Sequence, residues 1–362
     1  MKVKYVDLSK QNKPYLNKFS KIFKEFLNSG NYILGDYVKN FEQKISKYIG
    51  VKYAVGVGSG TDALFLSLKA LNIGEGDEVI TVANSYLATT SSIFLTGAKP
   101  VFVDIDYDLN IDQNLIEEKI TKNTKAIIIV HLTGNPAKII DIQKMAKKKN
   151  IPILEDAAQA IGASINGKKV GSFGVAGCFS FHPLKNLNAL GDAGIITTNN
   201  KKIYQYLIKA RNHGHPNRDN CDFWSHNMRL DALQASLLSY KISDIDKVNS
   251  KRIQNVRYYN KFITDKIDKP IIIKGINQVF HTYIIKTDKR DELLKFLSKK
   301  GIETKIHYPL PVTKMNAFKK YPKTYLPMTE KLSKKILSLP VAEYLSNKER
   351  EFIVKSINSF FK

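Results

Sequence analysis

The sequence predicts an α/β chain: a large domain built on a mostly parallel central sheet, followed by a smaller C-terminal α+β domain. Three observations carry this. Short apolar runs alternate with helical patterns over about 150 residues from Tyr53 onward, the signature of strands joined by crossover helices. The runs are rich in Val and Ile and lack polar alternation, as strands buried on both faces do. The pattern then changes near residue 230, and 362 residues exceed one ordinary domain but fall short of three. The division expected is 1–240 for an N-terminal segment plus the large domain, and 241–362 for the small one.

In chain order, residues 1–50 read as helical and amphipathic, with Phe19, Ile22, Phe23 and Phe26 at helical spacing. The strand candidates follow: Tyr53 to Val57, Glu78 to Val82, Lys99 to Val103, Lys125 to His131, Ile151 to Leu154, Gly177 to Phe181 and Gly194 to Thr197. A long polar helix is expected over Leu230 to Lys261, then a strand over Val279 to Thr287, a helix near Asp291 to Lys300, and the segment Ile302 to His307. Lys144 to Lys149 reads as the solvated face of a helix.

Composition narrows the partners. The formal net charge of +24 suggests nucleic acid or a membrane surface at first sight. Only seven of the 57 basic residues are Arg, however, and no Arg-rich segment occurs, so Lys-filled surface positions are the simpler account and no nucleic-acid partner is expected. Two cysteines, Cys178 and Cys221, are too few for a disulfide framework or a metal cluster, and no metal is expected. Cys178 falls in an apolar strand, where a small buried filler is expected. No stretch of 18 apolar residues occurs and the N-terminus has no apolar leader, which points to a cytoplasmic protein without a membrane partner.

Three segments suggest chemistry. Gly58-Ser59-Gly60-Thr61-Asp62-Ala63 follows a strand and opens a helix, where free N–H groups and the helix dipole favour an anion. It reads as a phosphate cup or as an ordinary capped turn, and it lacks both the P-loop lysine and the dinucleotide spacing. Leu154-Glu155-Asp156-Ala157-Ala158-Gln159 puts an acid at the end of a buried strand, where α/β sheets hold ligands. Asp156 there is either a helix cap or the partner of a protonated pyridine nitrogen, with Gln159 in reach of a neighbouring ring oxygen. Ser180-Phe181-His182-Pro183-Leu184-Lys185-Asn186-Leu187 presents Lys185 on a tight loop before Gly191-Asp192-Ala193-Gly194. A desolvated lysine there could condense with an aldehyde, or be one more surface lysine. His182 reads as a packing or supporting residue.

Phosphate cup, ring-binding acid and a lysine 29 residues beyond the acid come in the order shown by pyridoxal-phosphate (PLP) enzymes of the aspartate-aminotransferase fold. From about Tyr32 to Ala317 the sequence resembles the DegT/DnrJ/EryC1/StrS family of sugar-nucleotide aminotransferases. The likeness includes Asn31-Tyr32-Ile33-Leu34-Gly35, Gly58 to Leu64, Ala88-Thr89, Pro100 to Asp104, Glu155 to Gln159, Ser180-Phe181 with Lys185-Asn186-Leu187, and Asn227 to Asp231 with Gln234-Ala235. The resemblance implies a fold type I PLP-dependent transferase with Lys185 as the Schiff-base lysine. It implies Asp156 on the pyridine nitrogen, Gln159 on the ring hydroxyl, and Gly60, Thr61 and Ser180 on the phosphate. It further implies Tyr86 stacked on the ring, and Asn227 reaching the phosphate from the other subunit of a homodimer with shared active sites. His307 and Tyr308 fall in a segment, Ile306 to Pro311, that matches a substrate-side one, and Arg229 is a further substrate-binding candidate. Two departures stand out: Gly191-Asp192-Ala193-Gly194 replaces a double-glycine turn, its Asp leaning towards enzymes acting at C3, and Thr313 stands where a histidine is common.

The expected activity is transfer of an amino group from L-glutamate to a keto-sugar, most simply a nucleotide-linked 3-keto (or 4-keto) deoxyhexose, for a surface polysaccharide such as lipopolysaccharide. Arg211, Arg218 or Arg229 would suit a basic entrance for the diphosphate, though a lone Arg is more often structural. The alternatives are a PLP-dependent sugar dehydratase, in which histidine replaces the lysine; a keto-sugar acceptor without a nucleotide; and a non-catalytic regulator.

Overall fold

A computed structural model describes residues 1–362. Seven strands form the central sheet: β1 (Tyr53–Val57), β2 (Glu78–Val82), β3 (Lys99–Val103), β4 (Thr124–Val130), β5 (Ile153–Asp156), β6 (Ala176–Ser180) and β7 (Gly194–Thr198). Their order is β1-β7-β6-β5-β4-β2-β3. Neighbours from β3 to β6 pair in parallel, and β7 runs antiparallel to both β6 and β1, so the sheet is mostly parallel as expected. All seven expected strands form, with ends shifted by at most two residues. Alternation of side chains along β6 and β7 sends Cys178 and Ile196 into one apolar cluster and Phe179 and Ile195 into another. Both faces are therefore buried, which is why the runs carry no polar period.

Helices cover those faces. They are α1 (Leu16–Ser29), α2 (Gly35–Ile49), α3 (Gly60–Ala70), α4 (Leu87–Leu95), α5 (Ile139–Lys148), α6 (Lys201–Ala210) and α7 (Ala232–Lys241). Phe41 and Ile45 of α2 pack with Leu238 of α7 on one side, and Leu64, Leu66 and Leu68 of α3 pack with Leu207 of α6 on the other. On α1, Phe19, Ile22 and Phe26 are buried, but Phe23 is not: it is 48% exposed, about 100° round the helix from Ile22. The lysines of α5 face solvent, as expected.

The C-terminal part consists of α8 (Ile245–Phe262), β8 (Tyr283–Lys286), α9 (Arg290–Lys299), β9 (Ile336–Leu339) and α10 (Asn347–Phe360), with β8 and β9 paired antiparallel. Its core gathers Tyr259, Tyr283, Leu293, Leu297, Leu337 and Ile353, and Val3 from the start of the chain joins it. The single helix expected over Leu230 to Lys261 is in fact two, α7 and α8, separated by a 3-10 turn at Ile242–Asp244. Ser243 and Asp244 favour that break, because their short polar side chains compete for the backbone, and the Ser243 hydroxyl donates to the Tyr240 carbonyl. The polarity of α8 is structural: buried Asn249, Arg252 and Asn255 bond to Ile161 O, Glu343 and Ala342 O. The strand expected over Val279 to Thr287 shrinks to β8, since Val279 N and Thr282 N bond to Gly134 O and Thr133 O instead of a ladder. No helix is long and apolar enough to cross a membrane.

Candidate active site

The C-terminal ends of β4, β5 and β6 lie level: Val130 pairs with Asp156, and Asp156 with Cys178. Beyond them opens a cavity of about 350 Å³, lined among others by Gly60, Thr61, Tyr86, Thr89, Asp156, Gln159, Ser180, Lys185, His307 and Tyr308. This is the edge of the sheet at which crossover folds bind ligands.

One wall is the start of α3. Ser59 is its N-cap: the hydroxyl accepts from Asp62 N at 3.0 Å and the carbonyl from Ala63 N at 3.1 Å. The N–H groups of Gly60 and Thr61, at the first two helical positions, have no intrahelical carbonyl to reach. The hydroxyls of Thr61 and Ser180 border the same space. Close approach explains the glycines: a Cβ on Gly60 would lie 2.7 Å from Ser180 Cβ, and one on Gly194 would lie 2.3 Å from Ser59 O. Each would displace the cup.

Asp156 sits on the floor, 6% exposed. Burial raises its pKa, while donors to the carboxylate oppose that shift. Thr89 Oγ1 donates to Oδ2 at 2.7 Å and Ala158 N to Oδ1 at 3.2 Å. Glu155, one residue earlier, points to the other face. It accepts from the N–H groups of Gly171, Phe173 and Gly174, all at 2.7 Å, and from His131 Nε2 at 3.1 Å. His131 Nδ1 accepts from Ala137 N, which assigns the ring proton to Nε2. The strand end that carries Asp156 is thus fixed from behind. Gln159 is fixed too: its Oε1 accepts from Thr133 N at 2.7 Å, so its NH2 faces Tyr308, donating to the hydroxyl at 3.2 Å.

Lys185 projects from the loop between β6 and β7. Ala189 N closes that loop on Phe181 O at 2.7 Å, and Lys185 N donates to His182 O at 2.8 Å. The surrounding protein presses the Lys185 pKa down to about 8 by desolvation, against the upward pull of Asp156. An appreciable share of neutral amine therefore exists near neutral pH. Tyr86, 61% exposed, leans over the mouth with its ring 5.9 Å from that of Tyr308. His307 Nδ1 lies 2.8 Å from Ser338 Oγ, and burial depresses its pKa to about 4.

The chain thus brings together Gly60, Thr61, Tyr86, Asp156, Gln159, Ser180, Lys185, His307 and Tyr308. It does not bring in Asn227 or Arg229, which lie on the far side of β1, where Arg229 Nη1 donates to Asn212 Oδ1 at 2.9 Å. Arg211 is no entrance residue: it is buried, bonded to Glu42 and Gly56 O. Arg218 and Thr313 also lie off the cavity lining, whereas His182, read as a supporting residue, is exposed and lines it. Sequence reasoning assigns no role to Thr89 or His281, both of which border the cavity, as does Asp192, read there only as a sign of C3 chemistry. Thr89 carries a signal, as the second residue of the Ala88-Thr89 match. His281 carries none, being one apolar-flanked histidine before a strand.

Comparison with known proteins settles the family. The model of the DegT/DnrJ/EryC1/StrS aminotransferase family matches residues 16–358. The chain belongs to that family. It is 40% identical, over 99% of both chains, to the dTDP-3-amino-3,6-dideoxy-alpha-D-galactopyranose transaminase of Aneurinibacillus thermoaerophilus. It is 39% identical, over 100% of this chain and 99% of the other, to a pleiotropic regulatory protein of Geobacillus stearothermophilus. The S. venezuelae protein DesV, solved in complex with a ketimine intermediate, superposes with a TM-score of 0.96 at 33% identity, covering 99% of this chain and 98% of that one. This family member is a PLP-dependent aminotransferase of fold type I. The donor set fits the cofactor: free N–H groups and two hydroxyls for a phosphate, a buried carboxylate for a ring nitrogen, an oriented amide for a ring oxygen, and an amine. The close approach of Gly60 to Ser180 brings the helix start and the Ser180 hydroxyl together, as a phosphate site requires.

Proposed function

We propose that this aminotransferase moves the amino group of L-glutamate to the C3 ketone of a nucleotide-linked deoxyhexose, in the cytoplasm, for a surface polysaccharide such as lipopolysaccharide. Within it, Lys185 is the catalytic lysine, Asp156 the partner of the ring nitrogen, and Gln159 the donor to the ring oxygen. Gly60, Thr61 and Ser180 take the phosphate, Tyr86 stacks on the ring, and His307 and Tyr308 attend the sugar. One observation carries the reading: the depressed Lys185 amine, on the loop after β6, and the Asp156 carboxylate, at the end of β5, enter the same cavity. The name of the Aneurinibacillus relative and the Asp192 turn support C3 over C4.

Bound in this site, PLP supplies a ring that draws electrons from the carbon being deprotonated. The chain's own work is placement and proton transfer. The N-terminus of α3 and the two hydroxyls would hold the phosphate end, and Asp156, whose carboxylate accepts from Thr89 and Ala158 N, would face the ring nitrogen. Gln159 can only donate towards the ring oxygen, because Thr133 occupies its carbonyl. The Lys185 amine would hold and move the proton of the donor α-carbon at its Nζ, the only amine lining the cavity. His182 and His307, both with lowered pKa, leave the cavity without fixed positive charge from imidazole.

The test is a panel of keto-sugar nucleotides with glutamate, read by mass spectrometry. A 3-keto nucleotide should exchange its ketone oxygen for an amine. Loss of a hydroxyl instead would mean dehydration, and turnover of free sugars alone would remove the nucleotide from the proposal.

We further infer a homodimer with shared sites, and put the domain division at 240/241. Tyr86 and Leu184 line the cavity and are exposed, Ile33 and Leu190 are further exposed apolar side chains, and Asn227 does not line its own chain's cavity. Mixing inactive Lys185→Ala with inactive Asn227→Ala should restore about a quarter of the native sites, since half the dimers formed are mixed and each has one intact site. No recovery would refute sharing.

A further inference from the structure

Among the buried cations that the proposed mechanism does not use is Lys241. Lys241, the last residue of α7, is 5% exposed and has no carboxylate within ion-pair distance. A site needing only bulk would be served better by an apolar chain of the same length, since a buried charge without a counter-ion costs free energy. Its ammonium has three neighbours: Asn188 Oδ1, Asn12 Oδ1 at 3.3 Å, and the Tyr15 ring, whose centroid lies 5.2 Å away.

Asn188 belongs to the loop that carries Lys185, and its other end makes the contact that matters. Asn188 Nδ2 donates to Pro183 O at 3.0 Å, bridging the loop internally two residues before Lys185. A lysine can only donate and a carbonyl can only accept, so the two together permit a single orientation of the Asn188 amide. On the opposite flank Asn186 Nδ2 donates to Asn249 Oδ1 at 2.8 Å and Val279 O at 3.0 Å. The loop is therefore set by two amides, and only one of them, Asn188, is aligned by a charge. Asn12 and Tyr15 tie that charge to the N-terminal segment.

We propose that Lys241 is a positioning residue for the catalytic lysine: it fixes the Asn188 amide, which holds the Pro183 carbonyl and with it the aim of Lys185. This rests on the reading of Lys185 as the catalytic lysine. Burial lowers the Lys241 pKa to about 8 while Glu343 pulls it up. The other titratable groups around it are Tyr15, which bonds towards Asp244, and Glu343, which is itself engaged by Arg252.

Two substitutions separate positioning from stability. Lys241→Met keeps the stem and removes the donor. Asn188→Asp keeps an acceptor for Lys241, now as an ion pair, but turns an oxygen towards Pro183 O. Each holoenzyme should still show the yellow absorption of PLP held on Lys185 and yield Lys185 as the borohydride-labelled residue. Each should lose about tenfold or more in kcat with glutamate, because small misplacements of a reacting group are costly, with KM changed less than twofold and a displaced pH midpoint of the yellow band. A merely structural role would lower the melting temperature of Lys241→Met and leave kcat and midpoint alone. That result overturns the proposal, as does wild-type behaviour of Asn188→Asp, which decides the matter alone if Lys241→Met does not fold. Failure of the wild-type protein to label at Lys185 would instead sink the underlying reading.

Discussion

Thr89→Val is the sharpest probe of the cofactor side of the site. Valine matches threonine in shape, so the change removes little but the hydroxyl, whose 2.7 Å bond to Asp156 Oδ2 is one of two donors to that carboxylate. Both groups are buried, Thr89 at 1% and Asp156 at 6% exposure, so water cannot replace the lost donor. A hydrogen bond to a charged group is worth about 1.5–3 kcal/mol. At about 1.36 kcal/mol per factor of ten, removing it should slow the glutamate half-reaction about 10- to 100-fold if Asp156 must stay ionised opposite a protonated ring. The direction follows from the electrostatics: burial already raises the Asp156 pKa and Thr89 opposes it, so the variant's acid should titrate higher still. The assay is single-turnover decay of the yellow band after mixing with glutamate, with PLP affinity from the same titrations. A variant within twofold of wild type in both would show that Thr89 does not support Asp156, and that the second donor suffices.

Three further outcomes follow from the same geometry. Capture of PLP by the apoprotein needs neutral Lys185, so its rate should climb with pH up to about 8 and then level off; stopped-flow rates still rising tenfold per unit above pH 9 would mean an ordinary lysine. The folded pKa lies below the unfolded one, so the penalty for burying the charged amine is complete below about pH 8 and fades as pH rises towards 10.5. Apo Lys185→Met should accordingly melt above the wild-type apoprotein at pH 7, with the gap closing towards pH 10.5. Glu42→Gln should cost about 3–5 kcal/mol in urea unfolding, because it strands the guanidinium of Arg211, whose side chain is only 10% exposed; a loss under about 1 kcal/mol would show that Gly56 O alone satisfies Arg211.

The sheet is legible in the sequence because burial on both faces leaves an unmixed apolar run, and all seven strands stand within two residues of the expected positions. Small offsets remain where the ladder, not hydrophobicity, sets the end: β5 runs on through Glu155, which braces the strand from behind, and Asp156, which enters the site. The single helix expected over Leu230 to Lys261 breaks at Ser243 and Asp244, and the polar buried face of α8 is explained only by tertiary partners such as Glu343 and Ala342 O. The strand β9 leaves no local trace, because Ile336-Leu337-Ser338-Leu339 pairs with β8, some fifty residues earlier.

The site divides along the same line. Residues whose role follows from their own segment are legible: Gly60 and Thr61 at a helix start, Asp156 at a strand end, Lys185 on a loop. Those whose role depends on a partner brought in from elsewhere are not. Arg211 reads as a free cation until Glu42, 169 residues earlier, claims it. Lys241 is one of many lysines until the fold buries it against Asn188. Side-chain chemistry shows what a residue can donate, while burial decides whether anything remains free to be donated. Arg211 and Lys241 are buried but spent on fixed partners. Lys185 combines partial burial and a depressed pKa with an open cavity in front of its amine, and that conjunction, more than its place in a motif, supports its proposed role.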